Sequence, residues 1–197
     1  MSEQALQPEK DDFQSGGLLV PSSAQLGLWT FLATVTMLFA AFTSAYLVRR
    51  AGPDWHSIVM PKILWLNTVI LLLSSGTLEV ARIRKSAAAV SSFWLLATTL
   101  LGLGFLGGQL VAWRQLMALG VYIPTNPHSS FFYMLTGLHG LHLLSGLAFL
   151  IYGLVRAGGG GSHLGESEVR VLIGLCATYW HFLAALWLFL FLMLFFW

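Results

Sequence analysis

From Pro21 to Val48 the chain carries no Asp, Glu, Lys or Arg, and four further stretches come close to repeating that pattern. The second runs from Ile63 to about Ala81, broken only by Glu79, and the third from Ser86 to Trp113. The fourth covers about Ser130 to Val155 and the fifth Val171 to Trp197. A helix rising about 1.5 Å per residue needs roughly 20 apolar residues to cross a hydrocarbon core about 30 Å thick. All five stretches meet that length or nearly so. They are continuously apolar, whereas a barrel strand alternates, and a spanning helix satisfies its backbone amides internally, as lipid demands. The expectation is an all-α integral membrane bundle of five transmembrane helices, at about 26–48, 63–82, 90–113, 130–155 and 171–196. These form a single membrane domain over 26–197, preceded by a polar tail over 1–25.

Composition excludes the soluble alternatives. Of 197 residues, 57% are hydrophobic and 9% charged, against about 25% charged in soluble domains, so a soluble fold of this size would lack polar cover. The first 25 residues hold Glu3, Glu9, Asp11 and Asp12 against Lys10 and lack the basic start and apolar core of a secretory signal. Cys176 is the single cysteine, which excludes an internal disulfide and a cysteine metal cluster. A net charge of +2 without a basic run gives no footprint for nucleic acid.

Short loops carry the orientation signal through their Lys and Arg. Lys10, Arg82, Arg84, Lys85, Arg156 and Arg170 fall on the side of the N-terminus, and Arg49, Arg50, Lys62 and Arg114 on the other. The bias predicts a cytoplasmic N-terminus and, after five crossings, an outside C-terminus. Gly52-Pro53-Asp54, Ile123 to Pro127 and the run Gly158 to Ser162 mark loops too short to house a soluble domain.

Helices in lipid associate through close packing of small residues. Gly104 and Gly108 lie four apart with Gly107 beside them, and the pairs Ala41/Ala45 and Ala40/Ser44 share faces of the first helix. Trp29, Trp55, Trp65, Trp113, Trp180, Trp187 and Trp197, with Tyr46, Tyr122 and Tyr133, cluster toward helix ends, where such rings anchor at the headgroups. Polar groups within a span are costly and so are functional candidates: Glu79, Gln109, His139, His142 and His181. His139 and His142, three apart, fall on a similar face, and Glu79 can pair with Arg82. Three intramembrane histidines are too few for two b-type haems, though one haem between His142 and His181 stays open by counting. No Ser–His–Asp set, carboxylate pair or phosphate loop is present. The residues alone indicate a non-catalytic membrane subunit or a small channel-like protein.

Two longer segments go further. The fourth helix reads Ser130-Phe-Phe-Tyr-Met-Leu-Thr-Gly-Leu-His-Gly-Leu-His142, and the fifth Tyr179-Trp-His-Phe-Leu-Ala-Ala-Leu-Trp-Leu-Phe-Leu-Phe191. They resemble the T-G-x-H-G-x-H and Y-W-H-F-x-x-x-x-W-L-F-L-F segments of the cytochrome c oxidase subunit III family. Leu26-Gly-Leu-Trp-Thr-Phe-Leu and the Trp65-Leu-Asn-Thr68 core are similar to that family's preceding helices. The resemblance runs from about Leu26 to Trp197 and matches its short, five-helix forms, which lack the first helix pair. Two positions depart from it: a carboxylate usual in the first shared helix is Val35 here, and an Asp usual in the last motif is Ala184.

The resemblance implies a non-catalytic subunit of a haem–copper terminal oxidase, multi-pass in a bacterial cytoplasmic (inner) membrane, supporting proton uptake and stability of the catalytic subunit. It implies no redox cofactor of its own, bound phospholipid, and haem and copper in partner subunits. The implied partners are catalytic subunit I and subunit II, with room for a larger respiratory supercomplex. His139, His142 and His181, with Trp180 and Trp187 beside them and Glu79, become expected contacts to lipid or to a neighbouring subunit. The alternatives are a subunit-III-like protein associated with a nitric oxide reductase and, from another class, a small haem-binding membrane cytochrome.

Overall fold

The computed structural model describes residues 23–83, 88–158 and 166–196. They form five helices: α1 (Ser23–Arg50), α2 (Ile63–Ile83), α3 (Ala88–Ala118), α4 (Pro127–Gly158) and α5 (Glu166–Phe196). Each is long and apolar enough to cross a membrane, and no strand occurs among the described residues. The chain is an all-α, multi-pass membrane bundle. Residues 1–22 of the polar tail, Lys10 among them, with Arg84, Lys85, most of the glycine run after Gly158, the side chains of Arg156 and Arg170, and Trp197 lie outside the described residues.

α2 packs on α3, α3 on α4, α4 on α5 and α5 back on α2, which closes a four-helix ring. α1 stands outside it, seated on α4 and α5. The buried positions follow a seven-residue repeat. On α2 they are Leu64, Asn67, Leu71, Ser74, Leu78 and Ala81, with Thr68 buried beside Asn67; on α1, Leu32, Val35, Phe39 and Tyr46. Steps of three and four that return every seven residues keep one seam facing the partners and wind the helices left-handedly. On α2 this seam carries polar residues as well as leucines, because lipid gives no reward for an apolar interface over a polar one that is hydrogen-bonded.

Several helix ends reach beyond the expectation. α5 starts at Glu166 rather than near Val171, α4 runs from Pro127 rather than near Ser130, and α3 continues past Trp113 to Ala118. Beyond Ala118 the chain closes a Schellman turn, with Val121 N–H bonded to Leu116 O (3.0 Å) and Gly120 N–H to Met117 O (3.0 Å). Gly120 takes φ +77° there, a conformation that glycine adopts without the Cβ penalty. Asn126 caps α4: its Oδ1 accepts from Ser129 N–H (3.0 Å), and its own N–H donates to Ser129 Oγ (3.2 Å). Pro127, lacking an N–H, occupies the first helical position, where no N–H is needed.

Candidate functional site

The polar residues fall into three groups. The first is the interior. Trp180 of α5 lies in a slot between α3 and α4: a Cβ on Gly102 would sit 2.8 Å from its ring, and one on Gly146 would sit 3.2 Å away. Its Nε1–H donates to Ser74 Oγ of α2 (3.0 Å), so one side chain joins all four ring helices. Ser74 Oγ donates in turn to Thr98 O (3.2 Å). Two turns along α5, Trp187 donates to Thr68 Oγ1 (3.0 Å) and packs on Phe105 and His139. His139 is 0% exposed and meets aromatic faces, with both ring nitrogens unpartnered. Gln109 is buried as well, and its amide atoms are unpartnered.

His139, Trp180 and Trp187, three of the residues expected at a lipid or subunit contact, lie enclosed by the chain's own helices. The small-residue expectation divides similarly. Gly108 meets Asn67, whose Oδ1 would lie 1.9 Å from an added Cβ, whereas Gly104 barely reaches Ile70 (4.0 Å) and Gly107 faces open space.

The second group faces α1. His142 is half-buried with its ring against Phe31 and Phe39. Its Nδ1–H donates to Leu138 O (2.7 Å), which fixes that tautomer and turns the ring back onto its own helix. Phe31, Val35 and Phe39 succeed one another at single-turn spacing, so Val35 lies on the face that meets His142. Val35 and Ala184, the two positions where the resemblance leads one to expect acids, are both buried. His139 and His142 therefore diverge despite their spacing, one toward α3 and α5 and the other toward α1.

The third group is the outward α2–α5 seam. Glu79 Oε1 accepts from Arg82 (2.6 Å) and its Oε2 lies 3.0 Å from His181 Nε2. His181 Nδ1 meets the Ser75 hydroxyl. A hydroxyl donating to Nδ1 leaves the proton on Nε2, so the imidazole bridges Ser75 and the carboxylate. Side-chain exposure is 30% for Glu79 and 37% for His181, so this cluster reaches the outer surface of the bundle. The order Ser–His–Glu resembles a hydrolase relay, but Ser75 sits inside a helix whose amides are bonded within it, and no oxyanion site faces it.

A start of α4 near Ser130 leaves His128 in the preceding loop; in the structure α4 starts at Pro127 and includes it. It is buried, stacks on Trp55 at 5.0 Å, and accepts from Ile58 N–H at Nδ1 (3.1 Å). The described helices thus hold four histidines, not three. Each faces a different environment: the α1–α2 loop, the ring interior, α1, or the α2–α5 seam. His142 and His181 face α1 and α2 respectively and do not confront each other across a haem. No set of three metal-ligating side chains occurs among the described residues.

A bundle of five spanning helices that turns its two long motifs inward and keeps a short ionic seam outside is a multi-pass membrane protein. The family model for cytochrome c oxidase subunit III matches residues 14–197. The cytochrome c oxidase subunit 3 of Alkalihalophilus pseudofirmus is 33% identical over 173 residues, covering 84% of this chain and 82% of that protein. The probable cytochrome c oxidase subunit 3 of Mycobacterium tuberculosis is 30% identical over 187 residues, covering 89% of each. A probable quinol oxidase subunit 3 from Staphylococcus haemolyticus is 29% identical over 174 residues, covering 85% of each. The chain belongs to the cytochrome c oxidase subunit III family.

Proposed function

We propose that the chain is the non-catalytic subunit III of a haem–copper terminal oxidase, supporting aerobic electron transport, proton uptake and the stability of the catalytic subunit. The observation that carries this reading is the use of the motif side chains. Trp180 and Trp187, from the second matched segment, brace the four-helix ring, and His139 from the first is enclosed within it, which suits a support and not a redox centre. Haem and copper belong, in this reading, to partner subunits I and II. The Glu79–Arg82–His181 seam is the polar contact offered to a neighbour, and the membrane is the bacterial inner membrane with a cytoplasmic N-terminus. Phospholipid is the expected bound ligand. The peripheral seat of α1 supports it, since recesses of about 510 and 390 Å³ open between α1 and α5, walled by residues such as Ala40, Leu47, Leu186 and Phe189.

The test is affinity purification of the tagged chain in mild detergent, followed by mass spectrometry and an absorption spectrum. Co-purification of a haem–copper catalytic subunit, with the haem tracking that subunit, is expected. A lone chain carrying its own haem would overturn the reading. The companion proteins would also distinguish cytochrome c from quinol as electron donor.

A further inference from the structure

A recess of about 1150 Å³ lies at the end of the bundle where α1 finishes and α4 begins. Its rim is polar, with Arg49, Asp54, His56 and Asn126, and its floor is apolar, with Ala45, Val48 and Phe131. The walls are fixed. Ile58 N–H bonds to His128 Nδ1, and Trp55 stacks on that ring, which together tie the α1–α2 loop to the start of α4. Arg49 is held in a two-pronged pair with Asp54, one N–H···O distance being 2.8 Å. That pair uses two of the five guanidinium N–H donors and leaves three. Asn126 commits its Oδ1 to the helix cap, and its amide N–H₂ donors remain.

Arg49, Arg50, Lys62 and Arg114 all lie exposed toward this end of the bundle, and among the described residues Asp54 is the single side-chain carboxylate there. The recess therefore sits in an anion-attracting field at headgroup depth, with its floor on lipid-facing helix. Its volume exceeds the roughly 300–1,000 Å³ of ordinary small-molecule sites, which suits a headgroup together with the beginning of its chains. We propose that this recess binds the phosphate of a membrane phospholipid, held by Arg49, His56 and Asn126, with the acyl chains running over Ala45, Val48 and Phe131. Asp54 is a positioning residue: it aims the guanidinium. The site extends the phospholipid reading above to the opposite wall of α1 and shares only that premise with it.

The experiment is native mass spectrometry of the full chain in detergent, titrated with dioleoylphosphatidylglycerol. Dioleoylglycerol is the phosphate-free control and inorganic phosphate the competitor. One tight phosphatidylglycerol is expected, weakened about tenfold in Arg49→Gln, as befits loss of a charge-assisted contact. His56→Gln, a substitution at an exposed imidazole outside the loop's hydrogen-bond frame, should weaken it in the same direction. Undiminished binding by both variants overturns the proposal. Equal binding of dioleoylglycerol would make the recess an apolar groove, and displacement by inorganic phosphate would make it a free-anion site; either also overturns it. In the membrane assembly, a photo-crosslinker at Thr125 should capture phospholipid, and capture of a neighbouring subunit instead would refute the assignment. No arm requires an oxidase partner, so failure here leaves the subunit III reading untouched. A lipid lost from the α1–α5 recess would not respond to Arg49→Gln.

Discussion

Replacing Gly108 with alanine places a Cβ 1.9 Å from Asn67 Oδ1, 2.8 Å from its Cγ and 2.9 Å from its Nδ2. Asn67 is buried at the α2–α3 seam, and its amide donates to Phe105 O at 3.4 Å. The clash admits two remedies. Either the helices separate, an overpacking cost of about 1–3 kcal/mol, or Asn67 turns away from Phe105 O and leaves its buried amide unbonded, which costs about 1–3 kcal/mol. The alanine itself returns roughly 0.5–1 kcal/mol of helix propensity. The net expectation is a destabilisation of about 1–2 kcal/mol. Gly107→Ala, whose Cβ meets open space, should be neutral or stabilising by up to about 1 kcal/mol on propensity alone. The assay is equilibrium unfolding by SDS in mixed micelles, run as a cycle with Asn67→Ala. In the Asn67→Ala background the clash is gone, so Gly108→Ala should cease to destabilise, giving a coupling of about 1–2 kcal/mol. If Gly107→Ala and Gly108→Ala behave alike, or if Asn67→Ala brings no relief, the close approach at Gly108 is not what holds α2 to α3.

Four further outcomes follow from other contacts. Thr68→Val leaves the Trp187 N–H buried without an acceptor and should cost about 1–2 kcal/mol in the same unfolding assay. His139→Leu removes a fully enclosed ring whose nitrogens have no partner, so it should be neutral or stabilising by about 1–3 kcal/mol with oxidase assembly retained; a lost assembly would restore a functional role. Val35→Glu should be tolerated better with His142 present than in a His142→Leu background, by about 1–3 kcal/mol, the scale of a charge-assisted bond. The Arg49 hydrogen bond holds the Asp54 carboxyl below the usual carboxylate range. A lowered folded value means that its stabilising contribution is present above the unfolded value and is lost as pH falls through the folded one. A carboxyl NMR titration should therefore find Asp54 charged where ordinary aspartates have begun to protonate.

The five spans were legible because lipid sets a minimum apolar length and the chain meets it five times. What sequence could not sort was which face of each helix points inward. In water the apolar face is the buried one, but here outside and inside are equally apolar, so Met37 and Leu73 face outward while Asn67 and Ser74 face inward. That is why Gly104, Gly107 and Gly108 read alike and pack differently, and why Trp180 and Trp187 read as anchors yet form the interior brace. His139 and His142 share a motif but not an environment, since a 60° rotation separates a ring interior from the α1 face. The early start of α4 was in reach: Asn126-Pro127 with Ser129 is a helix-start pattern, and reading it would have placed His128 in the helix.

The outlying position of α1 has a consequence for biosynthesis. α1 contacts α4 and α5 but neither α2 nor α3, so it precedes the other four helices in synthesis and waits longest for its partners. At about 5–20 residues per second, the chain from its end to the end of α4, the first of those partners, takes roughly 5–20 s to emerge. Through that interval α1 has to stand alone in lipid, and a span free of formal charge from Pro21 to Val48 can do so. α2, with buried Asn67, Thr68 and Ser74 awaiting partners, is shielded as soon as α3 arrives to pack on it. The order of synthesis and the distribution of polar residues among the helices are thus matched, and a polar substitution in α1 should be felt first as failed insertion, before any contact in the finished bundle is lost.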